Sequence, residues 1–447
     1  MRDERLSGLD TAFLCLESAR APMHLGALAV FAPGTPVRPA RLVRLLGERA
    51  ERLSRLRRRV SAVRLPPGAG AWVADPEFDV RRHIRLHRLR DADPEAVAAL
   101  AAQLMTEPLD LHCPLWQVHV LTGLAQGRFA VLVKLHHAVA DGLRAVELGL
   151  GLLDGYTDAV AARSSTVEGD GQSVLGTLTR FALRPDRLLG EVVATAGIAG
   201  SVLSSARRTV PRSPLATGAP AARRLALLRL DVADVRQVRR GHGGTDNDIL
   251  LAVLAGALRD WLDQRGQCVD KLRLRAFVPV SRRTRPGENR GRNLLSGYLC
   301  ELPVQEDSPL ARLRTVRSAM DRNKAAGPGR GPGALPLLAD RVPGAVHRIV
   351  TPFARHSAGR LFDTVVTNVP IPDLRLTLAG APLHEVYPIA PLAHGHALGI
   401  ALSTHRGTVH VGLHADTRAV PDLDKLAEAI PTALTSLRAA PAGGARP

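Results

Sequence analysis

The chain has 447 residues, 45% of them hydrophobic, which is more than one ordinary core accommodates and fits two domains of about 200 residues each. Its net charge is +18, yet only four residues are lysine (Lys134, Lys271, Lys324, Lys425). The arginines are scattered, with no zinc-finger spacing and no aromatic–basic RNA motif, so no nucleic acid is expected as a partner. The basic surface favours anionic partners instead, such as a phosphorylated thioester carrier or an anionic membrane. Cys15, Cys113, Cys268 and Cys300 lie far apart without a CxxC spacing, which argues against a disulfide framework or structural zinc, and no metal is expected. Residues 1–6 have no apolar signal-type stretch, and the uncharged run Val192–Ala206 is shorter than the roughly 20 residues a spanning helix needs. A cytoplasmic protein, at most peripheral to a membrane, is the expectation.

In chain order, residues 24–31 read as a strand and residues 39–58 as a basic amphipathic helix with Leu42, Leu45, Leu46, Leu53 and Leu56 at helical spacing. Trp72–Val80 and Ile84–Leu89 read as short strands. Pro94–Met105 reads as a helix with Asp93 as N-cap. Trp116–Leu121 and Phe129–Leu135 read as a hairpin around Ala-Gln-Gly. Leu143–Leu153 reads as a helix. Residues 155–222 turn rich in Ser, Thr, Gly, Arg and Pro, and read as a helical, partly mobile connection. Beyond it come a strand at Leu225–Leu230 and a helix at Ile249–Leu262, opened by Thr245-Asp-Asn-Asp248 as a cap. Leu274–Val280, Val365–Val369 and Thr408–Leu413 read as strands, and Asp422–Leu437 as a final helix. Strands and helices interleave in both halves, so the class is mixed α and β, with domains at 1–155 and 223–447 and a linker at 156–222.

The chemistry concentrates at His136-His137-Ala-Val-Ala-Asp141-Gly142, between an apolar strand and a helix start. A free imidazole titrates at about 6.5, which suits proton transfer near neutrality, and the end of a core strand holds such a base rigidly. Asp141 reads as a cap of the following helix or as a partner in a buried ion pair. Asn247 and Asp248 stand at a helix start, where capping and a role in the site are both open. Asn368, in Asn-Val-Pro370, either lines a channel or holds a turn. The stretch Arg282–Arg292 either meets phosphates or is a solvated loop.

Several blocks in this order resemble the bacterial wax ester synthase/acyl-CoA:diacylglycerol acyltransferases, within the superfamily of the chloramphenicol-acetyltransferase-like fold. They are Leu6-Ser-Gly-Leu-Asp-Thr-Ala-Phe-Leu14, Ala21-Pro-Met-His-Leu-Gly26, Pro114-Leu115-Trp116, the HHxxxDG segment, Asn247-Asp248, Val278-Pro-Val-Ser-Arg-Arg283 and Thr367-Asn-Val-Pro370. One departure is that Pro214-Leu-Ala-Thr-Gly218 lacks the asparagine of a Pro-Leu-Asn-Gly linker pattern. The resemblance implies two such domains, each a mixed sheet flanked by helices, with an active-site channel between them. It implies O-acyl transfer from acyl-CoA to diacylglycerol or a fatty alcohol, with no cofactor beyond the acyl-CoA co-substrate and with docking at a membrane or lipid-droplet surface. An alternative within the superfamily is acyl transfer to a specialised metabolite or a carrier-bound intermediate. In the implied site His137 is the general base, with no covalent intermediate, and His136 supports it. Asp141 braces the loop, with Arg283 as its candidate partner, and Gly142 admits close approach of a backbone to substrate. Pro114, Leu115 and Trp116 pack near the hairpin, and Asn247, Asp248 and Asn368 shape the channel.

Overall fold

A computed structural model describes residues 4–62, 70–156, 213–218, 222–281, 295–327, 339–340, 347 and 361–441. Most of the expected linker, the run 192–206, Arg283 and the loop 282–294 lie outside these residues.

The first half runs β1 (Glu4–Arg5), α1 (Gly8–Leu16), β2 (His24–Phe31), α2 (Pro39–Arg52), β3 (Arg58–Ala62), β4 (Gly70–Ala74), β5 (Ile84–Ala92), α3 (Pro94–Thr106), β6 (Trp116–Leu124), β7 (Phe129–His136) and α4 (Gly142–Gly151). The second half runs β8 (Arg223–Asp231), α5 (Val232–His242), α6 (Asp246–Gln264), β9 (Leu274–Ser281), β10 (Leu295–Leu302), α7 (Pro309–Ala326), β11 (Thr364–Pro370), β12 (Thr377–Leu378), β13 (Ala381–Ile389), β14 (Leu398–His405), β15 (Thr408–Asp416) and α8 (Leu423–Ala439). One six-stranded sheet has the order β12-β13-β2-β7-β6-β5, the other β10-β9-β11-β14-β15-β8, and β1-β4-β3 form a small third sheet. The class is therefore mixed α and β, as the interleaved pattern implies.

Local chemistry accounts for the strongest elements. The Asp93 carboxylate accepts from the Ala96 N–H at 2.8 Å and starts α3 behind Pro94. Thr245 and Asp248 form a reciprocal capping box at the head of α6. Helix α6 is apolar nearly all round because α7 and α8 pack on it above the second sheet. Strand β7 alternates: Val131 and Leu135 enter the core shared with Trp116, while Ala130 and Leu132 face α3.

Two local expectations shift. The segment 72–80 is strand only to Ala74, because Pro76 lacks a donor and the Asp75 and Asp79 side chains accept from the Glu77 and Arg81 amides to make turns. The helix from residue 39 stops at Arg52, since Leu53 turns extended and is buried, and the chain passes through a short 3-10 turn, Ser54–Arg57, into β3.

The boundary at 223 also does not separate the sheets. Strand β13, from the second half, pairs antiparallel with β2 (Leu383↔Phe31 to Ile389↔Gly26). The other edge of β2 is taken by β7, so β13 fills what would be an open edge, and Tyr387 and Ile389 complete the cluster of Leu28 and α3. Strand β13 also lies on the second sheet: the Ser403 hydroxyl donates to the Val386 carbonyl at 2.7 Å and His414 Nδ1 donates to the Ala390 carbonyl at 2.8 Å. The segment Pro214–Gly218, which lacks the asparagine of the linker pattern, joins the second half here. Leu215, Ala216 and Thr217 dock on residues 395–397 through backbone groups, which need no asparagine side chain.

Candidate active site

Strand β7 ends at His136, whose N–H donates to the Leu115 carbonyl at 3.0 Å, while the His137 N–H donates to the Met23 carbonyl at 2.8 Å. The two histidines are thus clamped between the start of β6 and the start of β2. Strand alternation sends His136 toward α3, on the side of Lys134 and His24. His137 leaves the strand, and its ring stacks on Phe13 of α1 with centroids 3.9 Å apart. His136 is fully buried and His137 keeps 9% of its surface. Burial pushes the His137 pKa down to about 4, helped by the neighbouring His136 and opposed by the ring's contact with its own backbone carbonyl and by the Asp141 charge. The imidazole is therefore neutral near pH 7, the form a general base requires.

Asp141 is buried, and its carboxylate accepts from the Arg144 N–H at 2.9 Å as the N-cap of α4. Of its two expected roles the cap is present; Arg283, the expected ion-pair partner, lies outside the described residues. Gly142 opens α4 against β11: a Cβ built there would meet Val369 Cγ2 at 3.6 Å, which is ordinary contact. The HHxxxDG turn of the first sheet therefore abuts the Asn368-Val369-Pro370 segment of the second.

Asn368 does not hold a turn. It sits within β11, opposite Leu402 of β14. The pairing of β9 with β11 covers Thr364↔Ala276 and Val365↔Phe277, whereas β11 continues on β14 to Pro370, so the two strands part just where Thr367–Val369 approach α4. Asp248 is 2% exposed; one of its carboxylate oxygens serves the Thr245 cap and the other is buried with no hydrogen bond among the described residues. Asn247 is half-buried at the second position of α6.

Pro114, Leu115 and Trp116 are core. The Trp116 indole N–H donates to the Leu56 carbonyl at 2.7 Å and its ring stacks on His83. The block sets the Leu115 carbonyl against the His136 N–H. An open groove of about 390 Å³ between α3 and the start of β8 is lined by Ala99, Gln103, Thr106, Glu107, Ala222 and Arg223, and takes in no residue of the HHxxxDG segment.

Several residues around the turn carry no signal at the level of motif spacing. Glu17, just past α1, lies between two imidazoles: Oε2 is 3.3 Å from His136 Nε2 and Oε1 is 3.5 Å from His24 Nε2. Burial alone would raise its pKa, but the two imidazoles facing its oxygens bring it down to about 2. His24 Nδ1 donates to the Met105 carbonyl at the C-terminal end of α3 (3.1 Å). Arg55, buried over the Trp72 ring at 4.3 Å, donates from Nε to the Val139 carbonyl at 3.2 Å and so grips the turn from the far side. His24 and Phe13 fall inside the quoted opening blocks, which is the one hint the sequence offers.

A neutral histidine at a strand-to-helix turn, set where one sheet meets the parting strands of another, defines a two-lobed acyltransferase of chloramphenicol-acetyltransferase-like fold. Residues 6–250 match the wax ester synthase/diacylglycerol acyltransferase catalytic domain and residues 292–438 the WS/DGAT C-terminal domain; the chain belongs to this family. A probable diacylglycerol O-acyltransferase of Mycobacterium tuberculosis is 34% identical over 451 residues, covering 97% of this chain and 95% of that protein. Among solved structures, the wax ester synthase/diacylglycerol acyltransferase from Marinobacter aquaeolei VT8 superposes with a TM-score of 0.70 at 24% identity, covering 97% of this chain and 98% of its own. The first condensation domain of the calcium-dependent antibiotic synthetase shares the fold alone, with a TM-score of 0.63 at 19% identity over 99% of this chain and 98% of its own.

Proposed function

We propose that this acyltransferase moves a long-chain acyl group from acyl-CoA to diacylglycerol or a fatty alcohol, with His137 as general base. The observation that carries the reading is a buried, neutral His137 fixed by backbone and by Phe13 at the meeting of the two sheets. The acceptor hydroxyl gives its proton to the imidazole as its oxygen attacks the thioester carbonyl. The tetrahedral intermediate collapses with cleavage of the C–S bond, and the imidazolium returns the proton to the departing CoA thiolate. No covalent acyl-enzyme is needed. Asp141 opposes the loss of the imidazolium, since its charge stabilises the protonated ring formed during turnover.

The acyl and acceptor chains would occupy the space between the lobes, with Asn247 and Asn368 on its second-sheet side. The product reaches an apolar phase, so the basic exterior would serve to dock at an anionic membrane or lipid-droplet surface. No described helix is long and apolar enough to cross a membrane. The test is a donor and acceptor panel on the purified protein: acyl-CoA of several chain lengths against carrier-bound thioesters, each with diacylglycerol and with long-chain alcohols. Release of CoA and formation of ester with either lipid acceptor supports the reading; turnover confined to carrier thioesters replaces it with the specialised-metabolite alternative.

A further inference from the structure

We infer that Glu17 is a positioning residue for acyl transfer: its carboxylate, set against His136 Nε2, holds His136 as the Nε2–H tautomer and thereby fixes the turn that presents His137. The inference rests on the proposed role of His137 and deepens it.

The argument follows the hydrogens. The Ala138 backbone N–H donates to His136 Nδ1 at 3.0 Å, so that nitrogen carries a lone pair. A neutral His136 then has its proton on Nε2, the atom 3.3 Å from Glu17 Oε2. The same turn closes with the Val139 N–H donating to the His136 carbonyl at 2.9 Å. Were the proton to move to Nδ1, it would face the Ala138 N–H, that bond would be lost, and the backbone between His136 and Val139 would shift. Residue 137 lies inside that segment. A carboxylate at Nε2 opposes the move because it needs a donor there.

His24 stands on the other side of the carboxylate, with Nε2 3.5 Å from Oε1. His24 Nδ1 faces the Met105 carbonyl, which only accepts, so Nδ1 is protonated; burial lowers the pKa of this ring, and the Nε2 of its neutral form carries a lone pair and gives Glu17 no hydrogen bond. His24 and His136 are register partners on β2 and β7, which sets both rings on one side of the sheet with Glu17 between them. Lys134 completes the surroundings. Buried two residues before His136 on the same face, it donates to the Leu104 and Glu107 carbonyls at the end of α3 and places a positive charge near Glu17 and His24. The carboxylate in this interior thus faces the His136 Nε2–H and a nearby cation, the compensation a buried charge requires. Among the described residues no hydrogen bond or ion pair joins Glu17 to His137, so its effect passes through His136.

The experiment compares Glu17→Gln and Glu17→Ala with wild type. Gln keeps an acceptor for the His136 Nε2–H and loses the charge; Ala loses both. Steady-state kinetics with acyl-CoA and the preferred acceptor is combined with ¹⁵N NMR of ring-labelled histidine, His136 being assigned by its loss in His136→Gln. The expected result is kcat ordered wild type, Gln, Ala, with a loss of about tenfold or more for Ala, part of what a well-placed base contributes. The KM of both substrates should stay within about twofold. The His136 signal should pass from the Nε2–H pattern to a mixture of tautomers in Glu17→Ala. Unchanged kcat in both variants, or an unaltered Nε2–H pattern in Glu17→Ala, overturns the inference. The NMR arm needs no substrate, so it stands even if wild type fails to turn over acyl-CoA, a result that sinks the functional proposal instead.

Discussion

Acid should unfold this protein through its own core histidines. Five imidazoles that are at most 9% exposed (His119, His137, His396, His410 and His414) are held neutral by burial, which lowers three of them to about 4 and His119 and His414 to about 3. An unfolded chain protonates the same side chains at about 6.5. Between the folded and unfolded values the unfolded state binds more protons, so stability rises with pH there and is lost as pH falls through 6.5 toward 4. At pH 5.5 each of these groups costs about 1.4 kcal/mol relative to pH 7.5, and the five together about 7 kcal/mol. That is comparable with the whole stability of a typical domain, about 5–15 kcal/mol. The buried carboxyls of Asp10 and Asp363, which burial raises, offset part of it. Urea titrations followed by tryptophan fluorescence read both halves, since Trp72 and Trp116 lie in the first and Trp261 in the second, all buried. The unfolding midpoint should drop steeply between pH 6.5 and 5.5, while kcat/KM of the still-folded enzyme stays flat from pH 7.5 to 6. A midpoint that does not move over this interval, or a kcat/KM limb near pH 6.5, would show that these rings, His137 among them, are not held neutral by burial.

Three further outcomes follow from particular contacts. Trp116→Phe leaves the Leu56 carbonyl without its donor, at a cost of about 1–3 kcal/mol; the urea midpoint should fall while the KM for acyl-CoA stays near wild type, and the reverse pattern would make Trp116 a substrate contact. Gly412→Ala drives a Cβ into the Pro388 carbonyl, where β13 crosses the second sheet, and should destabilise by about 1–3 kcal/mol in the same assay; a neutral substitution would mean that the two sheets are not held this closely. Burial lowers the Lys134 amine from 10.5 to about 8, so its native form sheds the proton first and wild-type stability from this group rises by about 2 kcal/mol between pH 7.5 and 9.5. Lys134→Met should lack that rise, and equal pH slopes for the two proteins would refute it.

Much of this architecture is legible in local sequence, for identifiable reasons. Strand β7 announces itself by an apolar, β-branched run, α3 by Asp93 and Pro94, and α6 by Thr245 and Asp248 before an apolar stretch, because propensity, pattern and cap agree there. The HHxxxDG segment is legible for the same reason, as a strand end, a turn and an N-cap in fixed order. What local pattern does not carry is partnership across the chain. Nothing in residues 381–389 says that they pair with residues 26–31 rather than with strands of their own half. Glu17 follows a short helix in a segment with no periodicity to single it out, and its meaning comes from His136, more than a hundred residues away and brought near by β2–β7 pairing. Arg55 was absorbed into an amphipathic helix pattern that in fact ends at Arg52, and burial in the 3-10 turn after it is what turns this side chain toward Val139.

The most direct test of the central claim is turnover by His137→Ala, measured as CoA release and ester formation from acyl-CoA with diacylglycerol and with a long-chain alcohol, beside wild type at matched folded concentration. The account predicts a loss of about 10²- to 10⁴-fold in kcat, with the circular dichroism spectrum and urea midpoint little changed. Turnover by this variant at a rate close to wild type would contradict it.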